Sequence, residues 1–295
     1  MVNKLSNEIN KYVKTSTLIT GSARSGTTIL GSLLSSFENV EYFFEPPTLF
    51  TLFANYNESN KLIMNELIST YLFEDLLIQR LMGRNFNCNK HDDSSINNIL
   101  TKDEFENRIN STLRKKEIVK NAYLKSIVFK MPDIVPFVDN IEFLSDIKIL
   151  RCKRNVSEQI NSLMEKGWFS KNINSDNQIW PNKYYENKKF PFWLNESFFD
   201  AWYDCSHKDR CYIYTAHMET SIKSNNQFII EYDTLINDKY NVIEQLSAFM
   251  NLKITERTIE IAKNIKVQKS TKKADLRNIS TEIMQLSNKY LAFNH

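Results

Sequence analysis

Two periods of hydrophobic spacing alternate along the chain, and the first switch between them falls within residues 17–37. Thr17, Leu18, Ile19 and Thr20 form a short, β-prone, largely apolar run, as expected of a buried parallel strand. Gly21 opens the stretch that follows and Gly26 closes it. From Thr27 onward, Ile29, Leu30, Leu33, Leu34 and Phe37 recur at helical spacing. Strand, tight loop, helix is therefore the expected order.

The same reading predicts the remaining elements. Residues 1–15 are polar and predict a short helix or a loose arm. Residues 40–44 predict a second strand, stopped by Pro46-Pro47. Residues 61–82 carry helical spacing with few breakers, residues 84–99 are rich in Asn, Asp and Ser and predict a surface loop, and residues 102–121 predict a charged helix. Three further strands are expected at 127–130, 147–150 and 228–232. Helical patterns lie between most of the strands. The expected fold class is thus α/β, a central parallel sheet of about five strands flanked by helices.

Length and composition add limits. The 295 residues predict one domain, 1–295, and 42% apolar residues supply ample core. All four tryptophans, Trp168, Trp180, Trp193 and Trp202, fall within 165–218, which reads as an aromatic-rich insertion. Its rings either stack on an acceptor or form a core of their own. No stretch has the apolar length of a transmembrane helix and the N-terminus lacks the apolar core of a signal peptide, so a cytoplasmic protein without a membrane partner is expected. Cys88, Cys152, Cys205 and Cys211 show no metal-ligand spacing, and His91, His207, His217 and His295 are scattered; free thiols and no metal site are expected. A net charge of +3 gives no argument for nucleic acid. Eight basic residues against three acidic lie between Lys253 and Arg277, however.

The chemistry of the 21–28 loop is anion binding. Backbone N–H groups at a helix N-terminus point outward, and the helix dipole adds partial positive charge. The hydroxyls of Ser22, Ser25, Thr27 and Thr28 add donors, and Arg24 adds a fixed cation. Gly21 and Gly26 have the spacing of a nucleotide P-loop, but Thr27 stands where that motif needs Lys. The cation lies instead inside the loop, which suits a single 5′-phosphate with a charged group beyond it. Glu45 follows the second strand, and in a parallel sheet both it and Arg24 are expected at the carboxyl edge where ligands bind. Together they supply a base and a cation, or else a simple ion pair.

At these residues the chain resembles the sulfotransferases that use 3′-phosphoadenosine 5′-phosphosulfate (PAPS) and release the bisphosphate PAP. Arg24-Ser25-Gly26-Thr27-Thr28 looks like their 5′-phosphosulfate loop, and Phe44-Glu45-Pro46 looks like the aromatic-Glu-Pro of carbohydrate 6-O-sulfotransferases. Glu45 also falls where tyrosylprotein sulfotransferases carry a catalytic Glu. Lys130-Met131-Pro132 resembles the Lys-x-Pro after the family's third strand. The resemblance implies a strand–Arg–helix unit for the 3′-phosphate, with Ser eight residues after the Arg. Arg151 leads to Gln159 in that count and Arg154 leads to Ser162; Arg151 is favoured because it directly leaves the strand. Residues 228–252 resemble the family's third block, and Lys269, Ser270, Lys272 and Lys273 fit its late loop over the 3′-phosphate.

The resemblance therefore implies the P-loop-like sulfotransferase fold and sulfuryl transfer from PAPS to a hydroxyl of a carbohydrate or small-molecule natural product. Glu45 and Arg24 are the expected catalytic residues. Ser22, Arg24, Ser25, Gly26, Thr27, Thr28, Arg151, Gln159, Ser162, Lys269 and Lys272 are expected to bind the donor. Trp168 and Trp180, with Glu45, are expected to meet the acceptor. A P-loop kinase for a small metabolite and a non-catalytic nucleotide-binding module are the alternatives.

Overall fold

The computed structural model describes residues 2–170, 181–265 and 273–292, with side chains from residue 7 onward. Strand β1 (Thr17–Gly21) is buried at every position and lies at the centre of a five-stranded sheet of order β2-β3-β1-β4-β7. The other members are β2 (Val40–Phe44), β3 (Ser126–Lys130), β4 (Lys148–Lys153) and β7 (Gln227–Glu231). All pairings are parallel. The carboxyl ends of all five strands thus point to one edge. A separate antiparallel hairpin joins β5 (Asn182–Tyr185) to β6 (Lys188–Pro191).

The side-chain period of two explains how the sheet divides the core. Leu18, Phe43, Ile127, Phe129 and Ile149 enter one apolar layer. Ile19, Tyr42, Val128, Leu150 and Cys152, at alternate positions, enter the other. Helix α1 (Val2–Val13), α2 (Thr27–Leu34), α3 (Pro47–Ala54) and α4 (Lys61–Thr70) are the first of the surrounding helices. The second layer is closed by α2, whose Leu30, Leu33 and Leu34 are buried there.

Two expected helices differ in form. The 61–82 helix is continuous in the chain, but α4 passes into a π-helical stretch at Tyr71–Ile78 before one last α turn at Gln79–Leu81. The 102–121 segment is two helices, α5 (Lys102–Ile109) and α6 (Lys115–Ala122). Asn110, Ser111 and Thr112 interrupt it, polar residues whose side chains compete with the helix for backbone groups. The first half carries a capping box, Thr101 with Glu104, and at the start of the second the Glu117 carboxylate accepts the Arg114 N–H at 2.9 Å. The break lets α5 turn Arg108 inward onto buried Glu41, with two bonds of 2.9 and 2.7 Å.

Much of the 165–218 stretch is core of the same body. Helix α7 (Val156–Glu165) packs on α8 (His207–Met218), which is buried from Asp209 to Met218. Trp193 and Trp202 are buried and meet edge to face at 5.6 Å. They share the first apolar layer with Phe129 and Ile149. Trp180 lies outside the described residues.

Gly31 shows how closely α2 sits on the sheet. A Cβ there would lie 2.1 Å from the Tyr42 hydroxyl, a buried group without a hydrogen-bond partner among the described residues. Gly31→Ala is expected to cost about 1–3 kcal/mol through overpacking. Because the Tyr42 Cζ would also lie 2.4 Å away, that cost is expected to shrink in a Tyr42→Leu background, whose side chain stops short of that atom, whereas strictly additive changes in urea denaturation would show that Tyr42 is not the obstruction.

Candidate active site

The loop after β1 is shaped by close approach on both sides. A Cβ on Gly21 would lie 2.3 Å from the Cys152 carbonyl oxygen, and one on Gly26 would lie 2.8 Å from the Tyr232 ring. Both glycines have left-handed φ values, 133° and 98°. Between them the Ser25 N–H and hydroxyl both donate to the Ser22 carbonyl, at 3.3 and 2.7 Å. Gly26 is the N-cap of α2, and neither a capping side chain nor an acidic residue occupies that helix's first turn. Its first N–H groups have no intrahelical acceptor, and its dipole leaves positive potential at the loop.

Strand register brings the charged residues to this edge. Lys130 ends β3 level with Ile19 of β1 and Phe44 of β2. Glu45 follows Phe44, and its N–H donates to the Lys130 carbonyl at 3.0 Å. The Lys130 side chain is 3% exposed. It contacts Glu45 Oε1 at 2.7 Å, donates to Thr28 Oγ1 at 2.9 Å and sits 3.9 Å over the Phe44 ring. One ammonium thereby joins the carboxylate after β2 to the first turn of α2. The Glu45 side chain keeps 35% exposure.

On the other side of the loop, Arg24 Nε donates to Ser162 Oγ of α7 at 3.2 Å. Arg154 Nη1 donates to the Arg24 carbonyl at 3.2 Å. The Arg154 guanidinium lies 4.3 Å over the Tyr232 ring, which also limits Gly26. Its Nη2 is 3.6 Å from Glu158, and its buried Nε has no partner among the described residues. Tyr232 opens helix α9 (Tyr232–Asn237), directly after β7.

The two arginine registers are thus placed differently. Arg151 lies inside β4, level with Thr20. Its Nη2 donates to the Met218 carbonyl at 2.9 Å, where it satisfies the last turn of α8 and complements that helix's negative end. Gln159 is fully buried, and neither atom of its amide is hydrogen-bonded among the described residues. Ser22 is also buried, and its hydroxyl has no partner among the described residues. Trp168 is half-buried and packs edge-on to Phe169 at 5.9 Å. Lys269 and Lys272 lie outside the described residues. Just beyond them, Ala274 exchanges bonds with Ser157 in the first turn of α7, at 3.0 Å from its N–H and 2.6 Å to its carbonyl.

Sequence reasoning missed Asp133 and Tyr214. The one signal was an Asp set in the apolar run Met131-Pro132-Asp133-Ile134-Val135. Asp133 is fully buried, and its carboxylate accepts the Tyr214 hydroxyl. Burial pushes the carboxyl up to about 8, the nearby Glu45 charge adds to this, and the Tyr214 bond and Lys130 oppose it. His217 is a structural histidine. Burial pushes it down to about 4, while Nε2 accepts the Asn195 N–H at 2.9 Å and Nδ1 faces the Ile213 carbonyl at 2.7 Å. Among the described residues, no group of three His, Cys, Asp or Glu side chains is arranged to hold a metal ion, and no helix is long and apolar enough to cross a membrane.

A family model described as sulfotransferase domain matches residues 14–292. No curated protein matches the chain. Among solved structures, the sulfotransferase domain from the Synechococcus PCC 7002 olefin synthase is similar at 13% identity and TM-score 0.44, with 95% of each chain covered. A sulfotransferase domain from the curacin biosynthetic pathway is similar at 15% identity and TM-score 0.43, over 95% of this chain and 92% of that one. A sulfotransferase from Mycobacterium avium is similar at 12% identity and TM-score 0.46, over 96% of this chain and 77% of that one.

The Asp133 shift carries a sign that can be checked. A carboxyl whose folded pKa lies above its unfolded value binds more protons in the folded state, so its contribution to stability falls as pH rises from about 4 to about 8 and is level above. Asp133→Asn removes that titration. The variant's melting temperature relative to the native chain is expected to rise from pH 5 to about pH 8 and to level off above. A difference independent of pH would show that burial does not raise the Asp133 carboxyl.

Proposed function

The chain belongs to the sulfotransferase domain family, and on that premise we propose that it transfers a sulfuryl group from PAPS to a hydroxyl of a carbohydrate or small-molecule natural product. It is a sulfotransferase enzyme with a sulfuryl donor and an acceptor substrate. That membership sets aside the kinase and non-catalytic alternatives. The observation that carries the finer reading is the convergence of Arg24, Lys130, Arg154 and Glu45 on one loop at the carboxyl edge of the sheet.

The residues present fit a 5′-phosphosulfate with a 3′-phosphate. The glycine-limited loop, the uncapped α2 N-terminus and the unpartnered Ser22 hydroxyl suit the 5′ end. The Arg154 Nε, without a partner among the described residues, and the Ser162 hydroxyl suit the 3′ end. When bound, the donor supplies a sulfuryl group whose departure leaves charge on a phosphate oxygen. In this reading Arg24 and Lys130 hold positive charge against that oxygen, with Thr27 and Thr28 donating from the first turn of α2. Glu45 is the base that takes the acceptor proton, and Lys130 fixes its carboxylate beside the loop.

For the 3′-phosphate we adopt the Arg154 and Ser162 register over Arg151 and Gln159, because Arg154 and Ser162 both touch Arg24 whereas Arg151 serves Met218. Lys269 and Lys272 are proposed to complete that subsite, since the chain just beyond them returns to the first turn of α7 at Ala274. Phe44-Glu45-Pro46 and half-buried Trp168 support the hydroxyl acceptor; Trp193 and Trp202 serve the core instead. The four free cysteines fit a reducing compartment, the cytoplasm.

A thermal-shift comparison tests the donor. PAP is expected to raise the melting temperature without magnesium, AMP to do little, and ATP with magnesium no more than AMP. A shift with ATP–magnesium and none with PAP would overturn the PAPS reading. In steady-state assays Glu45→Gln is expected to lower kcat by about 10²–10⁴-fold with PAP affinity retained, and Arg24→Ala to lose nearly all turnover. Unchanged kcat in Glu45→Gln would remove Glu45 as the base.

A further inference from the structure

The loop after β1 is held by two residues that belong neither to it nor to its helix. Asp133, three residues beyond β3, donates its N–H to the Gly21 carbonyl at 3.2 Å. Its carboxylate accepts the Tyr214 hydroxyl, and that same oxygen accepts the Ala23 N–H at 2.5 Å. Both side chains are fully buried. A phenol has one proton to donate. Donation to Asp133 therefore orients the Tyr214 oxygen to receive Ala23. Asp133 itself holds left-handed backbone at φ 70°, which for a non-glycine residue must be sustained by its surroundings.

These bonds fix the Gly21 carbonyl and the Ala23 N–H, on either side of Ser22. The next residue, Arg24, is also left-handed, at φ 69°. Its carbonyl is held by Arg154 and its guanidinium by Ser162, both from the other flank. We propose that Asp133 and Tyr214 are positioning residues for sulfuryl transfer, a clamp that ties the loop to β3 and α8 and so fixes where Arg24 presents its charge. The inference rests on reading the loop as the donor site. The clamp touches neither donor nor acceptor; it acts through the peptide units before Arg24. The core explains the choice of Tyr214. Helix α8 is buried along most of its length, and Tyr214 packs against Phe169 and Trp193 with ring centroids at 5.0 and 5.1 Å, so its hydroxyl is aimed by packing.

The test is calorimetric titration of PAP onto the native chain, Tyr214→Phe, Asp133→Asn and Asp133→Gly, well below each melting temperature. Tyr214→Phe keeps the ring and removes only the hydroxyl. It is expected to weaken PAP binding about tenfold, and in kinetics to raise KM for PAPS while leaving acceptor KM unchanged. Asp133→Asn retains an oxygen that accepts the Tyr214 proton, and is expected to bind PAP within about threefold of native. Asp133→Gly removes the carboxylate at a backbone position glycine tolerates, and is expected to weaken binding as Tyr214→Phe does, which keeps the test open should the phenylalanine variant fail to fold. Native PAP affinity in Tyr214→Phe or Asp133→Gly, with only the melting temperature lowered, would reduce the pair to a structural role and overturn the clamp. Absence of PAP binding by the native chain would overturn the donor reading, and this inference with it.

Discussion

Everything at the carboxyl edge depends on how closely the chain leaving β1 passes the end of β4. Gly21 turns where any side chain would strike the Cys152 carbonyl. That contact sets the loop against the sheet and lets α2 begin within a few residues. It leaves the uncapped N-terminus of α2 at the centre of the strand ends. A positive end in that place is a general device for holding anions. What distinguishes this molecule is the set of side chains that parallel register then delivers around it.

Lys130 is the clearest case. Its backbone is level with Phe44, so the carboxylate that follows β2 and the ammonium that ends β3 meet without any adjustment of the loops. The ammonium is almost fully removed from water, yet it has Glu45, Thr28 and the Phe44 face as partners. A buried charge retains that position only when it is fully engaged. The pair therefore does two things at once. It satisfies a buried cation, and it holds a partly exposed carboxylate next to the loop.

The same edge also carries strained backbone. Arg24, Glu45 and Asp133 all adopt left-handed φ values, 69°, 44° and 70°. Each costs about 1–2 kcal/mol for a residue with a Cβ. All three are ringed by bonds from other elements, which supply the compensation.

The amino-acid sequence by itself determined the five strands, their parallel arrangement, the loop and the two residues Arg24 and Glu45 at its edge. These follow from local spacing: a period of two, a period of 3.6, and glycine where the chain must turn. It also bore the resemblance that named the family. The break in 102–121 needed the cost of polar residues in mid-helix weighed against the inward reach of Arg108 to Glu41. Tertiary structure alone decided which arginine meets the loop, because the direction a side chain takes after a strand depends on which face each neighbour covers. Arg151 faces α8 and caps it, while Arg154, past the strand end, is free to reach Arg24. It also decided that Trp193 and Trp202 are core, since aromatic rings look alike in sequence whether they meet ligand or one another. The Asp133–Tyr214 clamp joins residues 81 positions apart, and no local pattern encodes a contact made only when β3 and α8 pack against the same loop.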